Sequence, residues 1–454
     1  MNQVDRSIFK AYDIRGIYPS QLDEDVAYRI GKGYATFILG ENPKTKNIVV
    51  GCDMRLSSPA LKEKLISGLV DSGLNVIDVG LVSTPTFYFA VAYYGYDGGI
   101  QVSASHNPKE YNGFKLVKAK ALPVSKDSGI MEMLDIIEKN RYVSSDKKGS
   151  VSKKTGIMED LVKDQTSLVN ISKLKKYKIV IDAANSMGAP DMEAFFEKVP
   201  ADIVKLNFEL DGSFPSHEAD PLKEENLVLL KKKVVETKAD FGIASDGDGD
   251  RYFLVDEKGE SLRQEILRGI MAQEELKEDP EALVCYDIRP GRITKDMIDE
   301  MGGKSVVTPV GHSLIKAMMI RNNAVFGGES SGHYAYRRPY GTFEMPVILV
   351  AKFLRYLSGK DAPFSEIMKP YKIYFHSGEV NFKVKSVPDK LKEIESKFSD
   401  AEIGKLDGIT VTYPDWWFNV RGSNTEPVIR LNLEAKSEKL RKEGIEKVSR
   451  IIEG

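Results

Sequence analysis

Short apolar runs alternate with amphipathic stretches along the chain, and three times they follow the same order. A buried strand leads into a polar turn and an amphipathic helix. A second strand follows, then a third that ends in a polar loop. In the first repeat the strand 48–50 runs into Gly51-Cys52-Asp53-Met54-Arg55, and apolar spacing predicts a helix over 59–70 with Pro59 near its start. Strands at 75–79 and 99–102 follow, the latter delivering Ser103-Ala104-Ser105-His106-Asn107-Pro108. The second repeat has strands at 178–181, 202–204 and 241–244, a helix around 192–198, and the loop Ser245-Asp246-Gly247-Asp248-Gly249-Asp250-Arg251. In the third, strands at 283–286, 305–307 and 325–326 and a helix over 294–301 precede Gly327-Gly328-Glu329-Ser330-Ser331-Gly332-His333. Short apolar runs separated by helices predict mainly parallel sheets buried on both faces, with ligands bound beyond the carboxyl ends of the strands. Three polar loops in register at that edge make it the place to look for chemistry.

The pattern changes toward the C-terminus. Residues 371–384 alternate as a strand, 389–398 read as a helix, and strands 409–413 and 417–420 flank a Pro414-Asp415 turn. A strand at 429–434 and a helix at 438–452 close the chain, predicting a separate α+β domain. The Ser/Lys-rich stretch 143–155 reads as a loop or hairpin near a boundary. The expected fold class is α/β: three related α/β domains with mainly parallel mixed sheets at 1–150, 151–254 and 255–367, then an α+β domain at 368–454.

Composition narrows the function classes. The 454 residues suit roughly three domains at about 150 each. Lys plus Arg (65) nearly balance Asp plus Glu (67), so no broad cationic surface for nucleic acid or anionic membrane is expected. The apolar run 347–351 stops at Lys352, far short of a spanning helix, and residues 1–6 lack the apolar core of a signal peptide. Two distant cysteines, Cys52 and Cys285, form neither a metal knuckle nor a disulfide framework, which fits a reducing, cytoplasmic compartment. The expectation is a multidomain enzyme without membrane or nucleic-acid partners.

The most specific loop is 246–251. Asp246, Asp248 and Asp250 repel one another unless a cation is present, and the intervening glycines let the backbone curl around it. Oxygen-only ligation favours Mg²⁺, Mn²⁺ or Ca²⁺ over zinc or copper. An EF-hand is excluded because Arg251 occupies its sixth, glycine-requiring position and 252–255 reads as a strand. The 103–108 loop allows two readings that can hold together. Asn107 caps a helix beginning at Pro108, and Ser105 carries a phosphoryl group that the neighbouring repeat's cation neutralises. Glu329, Ser330, Ser331 and His333 suit hydrogen bonding to sugar hydroxyls. Arg421-Gly422-Ser423-Asn424-Thr425-Glu426-Pro427, with Arg430 nearby, is either a phosphate cradle or a polar turn capped by Asn424.

Together with Phe9-Lys10-Ala11-Tyr12-Asp13-Ile14-Arg15-Gly16, these four loops, in this order, resemble the α-D-phosphohexomutase family, nearest to its bacterial-type phosphomannomutase/phosphoglucomutase branch. The resemblance implies four domains around a central cleft, carrying in turn a phosphoserine loop, a metal loop, a sugar-binding loop and a phosphate-binding loop. It implies phosphoryl transfer on Ser105, and Mg²⁺ held by Ser105, Asp246, Asp248 and Asp250. Tyr12, Arg15, His106, Asn107, Lys115 and Arg251 match positions around the phosphoserine, with Arg15, Lys115 or His333 for proton transfer. Glu329 and Ser331 match the pair that holds sugar hydroxyls, and His312 lies in a further substrate loop. Arg421, Ser423, Asn424 and Thr425 match the distal phosphate site, which Arg430 adjoins. Two departures stand out: Arg289 replaces a lysine common in this branch, and 337–344 lacks the paired aspartates usual after the sugar loop.

The implied activity is interconversion of mannose 6-phosphate and mannose 1-phosphate, or of the glucose phosphates, through a bisphosphorylated sugar. The implied requirements are Mg²⁺ and glucose 1,6-bisphosphate or mannose 1,6-bisphosphate as activator, in a monomer or homodimer. Phosphoglucosamine mutase is the rival, opposed by Asp-Gly-Asp-Gly-Asp and Ser-Asn-Thr-Glu-Pro at the two motifs. A catalytically silent sugar-phosphate binding protein would be expected to have lost the serine or the metal loop, and a phosphatase would admit water to phospho-Ser105.

Overall fold

Every residue of the strand Asn47–Cys52 after Asn47 is buried, as a strand covered on both faces requires. In the computed structural model, which describes residues 4–289, 291–422 and 428–454, this strand lies near the middle of a seven-stranded sheet. The chain divides into two compact units: Met1–Leu262 with Gly332–Phe364, and Arg263–Ser331 with Ser365–Gly454.

In the first unit the large sheet runs Ile14–Ile17, Tyr111–Lys118, Gly98–Val102, Asn47–Cys52, Asn75–Leu81, Val151–Lys153, with Leu122–Pro123 paired beside Tyr111–Lys118. Its last four strands are parallel, while Tyr111–Lys118 is antiparallel to both neighbours. Arg15 pairs with Gly113, so Arg15 and Lys115 project from the same face of the sheet. Helices Glu24–Glu41 and Ser58–Asp71 pack through Gly31 and Gly68, where a Cβ on either would meet the other helix's backbone. A second sheet has the order Tyr252–Asp256, Phe241–Ser245, Tyr177–Asp182, Ala201–Leu206, parallel except for its first pair. The hairpin Tyr334–Arg338/Gly341–Glu344 and the largely buried helix Pro346–Ser358 also belong to this unit.

In the second unit Leu283–Asp287 lies between Lys304–Thr308 and Phe326–Gly328, all parallel, with helices Gln264–Glu278, Arg292–Asp299 and His312–Asn322. A separate antiparallel sheet orders Phe375–Lys383, Val428–Ala435, Trp416–Gly422, Ile409–Thr412, Glu402–Gly404. Ile394, Phe398, Phe418, Leu431, Leu433 and Val448 form its core beneath helices Val387–Lys397 and Glu438–Glu453. The α/β class and the α+β C-terminal part are as expected. No described helix is long and apolar enough to cross a membrane.

Three expectations are corrected. No helix follows Asn107-Pro108: the chain turns back and enters the antiparallel strand Tyr111–Lys118, so neither the cap nor a helix dipole acts on this loop. Within 143–155, Val151–Lys153 is an edge strand parallel to Asn75–Leu81, not an arm of a hairpin. Each repeat also holds a further helix between its second and third strands, at Thr84–Tyr93, Val228–Thr237 and His312–Asn322.

Candidate phosphoryl-transfer site

The third strand of the first repeat, Gly98–Val102, delivers Ser105 in a left-handed conformation, φ +51°, with its side chain buried. A non-glycine residue there is strained, and such strain persists only where the surroundings enforce it. Ser105 Oγ donates to Asp246 Oδ2 at 3.0 Å and lies 3.3 Å from His106 Nδ1. The matching third strand, Phe241–Ser245, delivers the aspartates. Gly249 takes φ +75°, and a Cβ on Gly247 would collide with the Ser105 carbonyl, so the glycines both curl this loop and admit the serine.

Asp246, Asp248 and Asp250 are all buried, and each offers an oxygen within 4.8 Å of the others. Lys115 Nζ sits 2.6 Å from Asp248 Oδ2 and 2.6 Å from Asp250 Oδ2. Thr84 Oγ1 donates to Asp248 Oδ2 at 2.5 Å. Asp248 Oδ1 is buried without a hydrogen-bond partner among the described residues. Three hard-oxygen donors, one with an unused atom, fit a divalent cation. Burial and the other two aspartates push the Asp246 carboxyl well above the carboxylate range. Burial opposes the charge on Asp250 as well, but Lys115 and His333 outweigh it and hold this carboxyl well below that range.

The basic groups divide into charged and neutral. Burial works against the Lys115 ammonium, yet Asp248 and Asp250 raise it well above its ordinary value. Arg15 is likewise raised, Asp13, Asp248 and Asp250 overcoming burial, and its guanidinium bonds Asn107 Oδ1 and Asp13. Burial, then Arg251 and Arg15, depress His106 well below its ordinary value, so its imidazole is neutral. His333 Nε2 is 3.3 Å from Asp250 Oδ1 and 3.2 Å from Arg251 Nε. These contacts are alternatives: protonated Nε2 donates to the aspartate, and bare Nε2 accepts from the arginine. Tyr12 is half-buried in the turn before Ile14–Ile17. The first unit therefore gathers Arg15, Ser105, His106, Asn107, Lys115, Asp246, Asp248, Asp250, Arg251 and His333 into one network.

In the second unit Glu329 is held by three groups. Gly311 N donates to Oε1 at 2.7 Å, Ser331 Oγ to Oε2 at 2.6 Å, and Arg289 NH2 lies 3.3 Å from Oε1. Burial opposes the Arg289 charge, but Asp287 and Glu329 raise it. His312 opens the helix that follows Gly311. Arg421 bonds Asn432 Oδ1 at 2.7 Å and shares Glu379 with Arg430, whose NH1 is 3.3 Å from Glu379 Oε1. Ser423, Asn424 and Thr425 lie outside the described residues.

Sequence reasoning missed Arg55, Thr84, Arg268 and Glu379. Arg55 donates to four carbonyls around the Ser105 turn, and Arg268 is fully buried against Asp287 and Ser330. One signal was available: Asp53-x-Arg55 and Asp287-x-Arg289 stand at the same strand end in two repeats.

A hydroxyl nucleophile among convergent carboxylates and fixed cations, on parallel α/β sheets, defines a phosphotransferase. Comparison with known proteins narrows the class. The three alpha/beta/alpha domains of phosphoglucomutase/phosphomannomutase match residues 6–143, 158–259 and 265–374, and their C-terminal domain matches 379–451. The chain belongs to this α-D-phosphohexomutase family and is a phosphohexomutase, an intramolecular phosphotransferase. A phosphomannomutase of Vibrio cholerae is 38% identical over 456 aligned positions, covering 98% of each chain. One of Methanocaldococcus jannaschii is 37% identical over 453, covering 99% of this chain and 98% of that one. The crystal structure of a phosphoglucomutase/phosphomannomutase family protein from Burkholderia thailandensis superposes with TM-score 0.91 at 32% identity, covering 99% of this chain and 98% of the other.

Proposed function

We propose that the protein interconverts mannose 6-phosphate and mannose 1-phosphate, and also the corresponding glucose phosphates, through phospho-Ser105 and a bisphosphorylated sugar. The observation that carries this reading is the 3.0 Å bond from Ser105 Oγ to Asp246 in a buried pocket of three carboxylates. In this reading Ser105, Asp246, Asp248 and Asp250 hold Mg²⁺, which when bound neutralises the charge of a transferring phosphoryl group. The Lys115 ammonium and the Arg15 and Arg251 guanidinium groups pair with phosphoryl oxygens, supported by the raised values of Lys115 and Arg15. When Ser105 takes a phosphoryl group its hydroxyl proton must leave, and neutral His106, 3.3 Å away, can accept it. In the return step the sugar hydroxyl loses a proton, and His333 is our choice of acceptor, with Tyr12 and Asn107 lining the pocket.

In the same reading the second unit recognises the substrate. Glu329 and Ser331, with Arg289 and His312, take sugar hydroxyls, and Arg421, Ser423, Asn424, Thr425 and Arg430 take the phosphate not being transferred. The division into domains 1–150, 151–254, 255–367 and 368–454, each giving one loop, belongs to this proposal. So do glucose 1,6-bisphosphate or mannose 1,6-bisphosphate as activator, a cytoplasmic location, a monomeric or homodimeric state and the absence of nucleic-acid partners. The names of the Vibrio and Methanocaldococcus relatives favour mannose. A panel of mannose, glucose and glucosamine phosphates, assayed with Mg²⁺ and glucose 1,6-bisphosphate, tests the assignment. Mannose and glucose phosphates should turn over fastest; a preference for glucosamine phosphate, or release of free phosphate as the main product, would overturn it.

A further inference from the structure

Arg55 has no part in the chemistry above, yet it is among the largest side chains withdrawn from solvent. Its NH1 donates to the carbonyls of Pro108 at 2.8 Å and Tyr111 at 3.0 Å, and its NH2 to those of Ser105 at 2.7 Å and Asn107 at 2.6 Å. The four protons of the two terminal nitrogens thus all face carbonyls, and Nε lies 3.3 Å from Asp53 Oδ2 in an ion pair without a hydrogen bond. Asp53 is fixed in turn by Ser58 Oγ at 2.6 Å and the Arg55 amide at 3.1 Å. The second repeat closes the remaining side: the Phe214 ring lies 5.1 Å from the guanidinium, and a Cβ on Gly212 would press on the backbone at Met54 and Arg55.

We propose that Arg55 is a positioning residue for phosphoryl transfer. It holds the turn from Ser105 to Tyr111 in the conformation that aims Ser105 Oγ at the aspartates. The contacts stand on the structure alone; their consequence for turnover rests on the mutase reading. The left-handed backbone at Ser105 needs external enforcement, and four charge-assisted bonds to the carbonyls of that turn supply it. The guanidinium plane spans four carbonyls, which the point charge of a lysine cannot do. The third repeat uses a related device: Asp287 Oδ1 accepts from the Ser330 amide at 3.1 Å, while Arg289 reaches Glu329. In both repeats an Asp-x-Arg at the end of the first strand braces the loop delivered by the third.

The test compares full-length wild type, Arg55→Lys, Phe214→Leu and Ser105→Ala by hydrogen–deuterium exchange and steady-state kinetics. In Arg55→Lys, exchange within 103–112 should rise by about tenfold or more, the worth of one lost charge-assisted bond, and stay unchanged in the rest of the first unit. Its kcat should fall by about 100-fold with KM for the hexose phosphate nearly constant, because the turn is misplaced while the sugar-binding groups are untouched. Wild-type exchange in 103–112, a rise spread evenly over the first unit, or an increase confined to KM would each overturn the proposal. If Arg55→Lys does not fold, Phe214→Leu decides: loss of the ring should loosen the same segment by about threefold, and no change refutes the brace. Wild type without mutase turnover, or Ser105→Ala retaining it, defeats the mutase reading instead, and the exchange measurement then decides on Arg55 by itself.

Discussion

Replacing Lys115 by methionine removes one ammonium from the centre of the three-aspartate pocket while keeping most of its stem. At an effective dielectric of about 20, a contact of 2.6 Å corresponds to about 6 kcal/mol of attraction, and Lys115 makes two. Burial of the ammonium offsets much of this, and loss of one partner from a buried pair costs about 3–5 kcal/mol in practice. The residual charge is unusually concentrated, because three carboxylates then lie within 4.8 Å of one another with only His333, 3.3 Å from Asp250, and Arg251, 3.7 Å from Asp246, against them among the described contacts. A divalent cation held by the same aspartates would restore the balance, and it would compete with Lys115 for the charge of Asp248 and Asp250. Binding at a hundred times its Kd adds about 2.7 kcal/mol, most of what the substitution removes. Thermal unfolding should therefore show a large loss for Lys115→Met in chelator and a much smaller one in millimolar Mg²⁺, with the variant gaining more from Mg²⁺ than wild type does. An equal loss in both buffers, or a larger gain by wild type, would refute the idea that lysine and metal share this site.

Asp191 lies outside the transfer site but is fully buried beside Thr86, and burial pushes its carboxyl up to about 7 from an ordinary 3.8. The folded state then holds a proton that the unfolded chain releases, so stability is greatest below the unfolded value and falls as pH rises to the folded one. The full effect is about 4 kcal/mol. Asp191→Asn should be more stable than wild type at pH 8 and level with it near pH 4 by urea unfolding; a constant difference would contradict this. Glu329→Gln keeps the shape that meets Gly311 and Ser331 but frees Arg289 from its carboxylate. KM for the hexose phosphate should rise by about tenfold while labelling of Ser105 by the bisphosphate is unaffected. Impaired labelling would move Glu329 from sugar recognition into the transfer step.

What the sequence displayed, and what it hid, follows from the range of the interactions concerned. The strand Asn47–Cys52 and the aspartates of 246–250 were legible because apolar runs and clustered charge are local signals. The helix Thr84–Tyr93 was not: all its residues but Tyr93 are buried, so no polar face marks a 3.6-residue period. Asn107-Pro108 looked like a helix start because cap statistics are also local. Here the segment is held by Arg55 and by antiparallel pairing of Gly98–Val102 with Tyr111–Lys118, and no helix forms. Strand 371–384 is in fact Phe375–Lys383: Tyr371 ends a short 3-10 turn at Lys369–Tyr371, and 372–374 are irregular. Thr84 and Glu379 were beyond sequence reasoning, since Thr84 meets Asp248 across 164 positions and Glu379 meets Arg421 across 42.

The central claim is that a phosphoryl group passes through Ser105. Incubation with glucose 1,6-bisphosphate and Mg²⁺, followed by intact-mass and peptide analysis, measures this directly. Wild type should gain one phosphoryl group on the peptide carrying Ser105 and lose it to added hexose phosphate at a rate matching kcat. Ser105→Ala should gain none and show no mutase turnover. Full turnover by that variant, or a label on any other residue, would contradict the account.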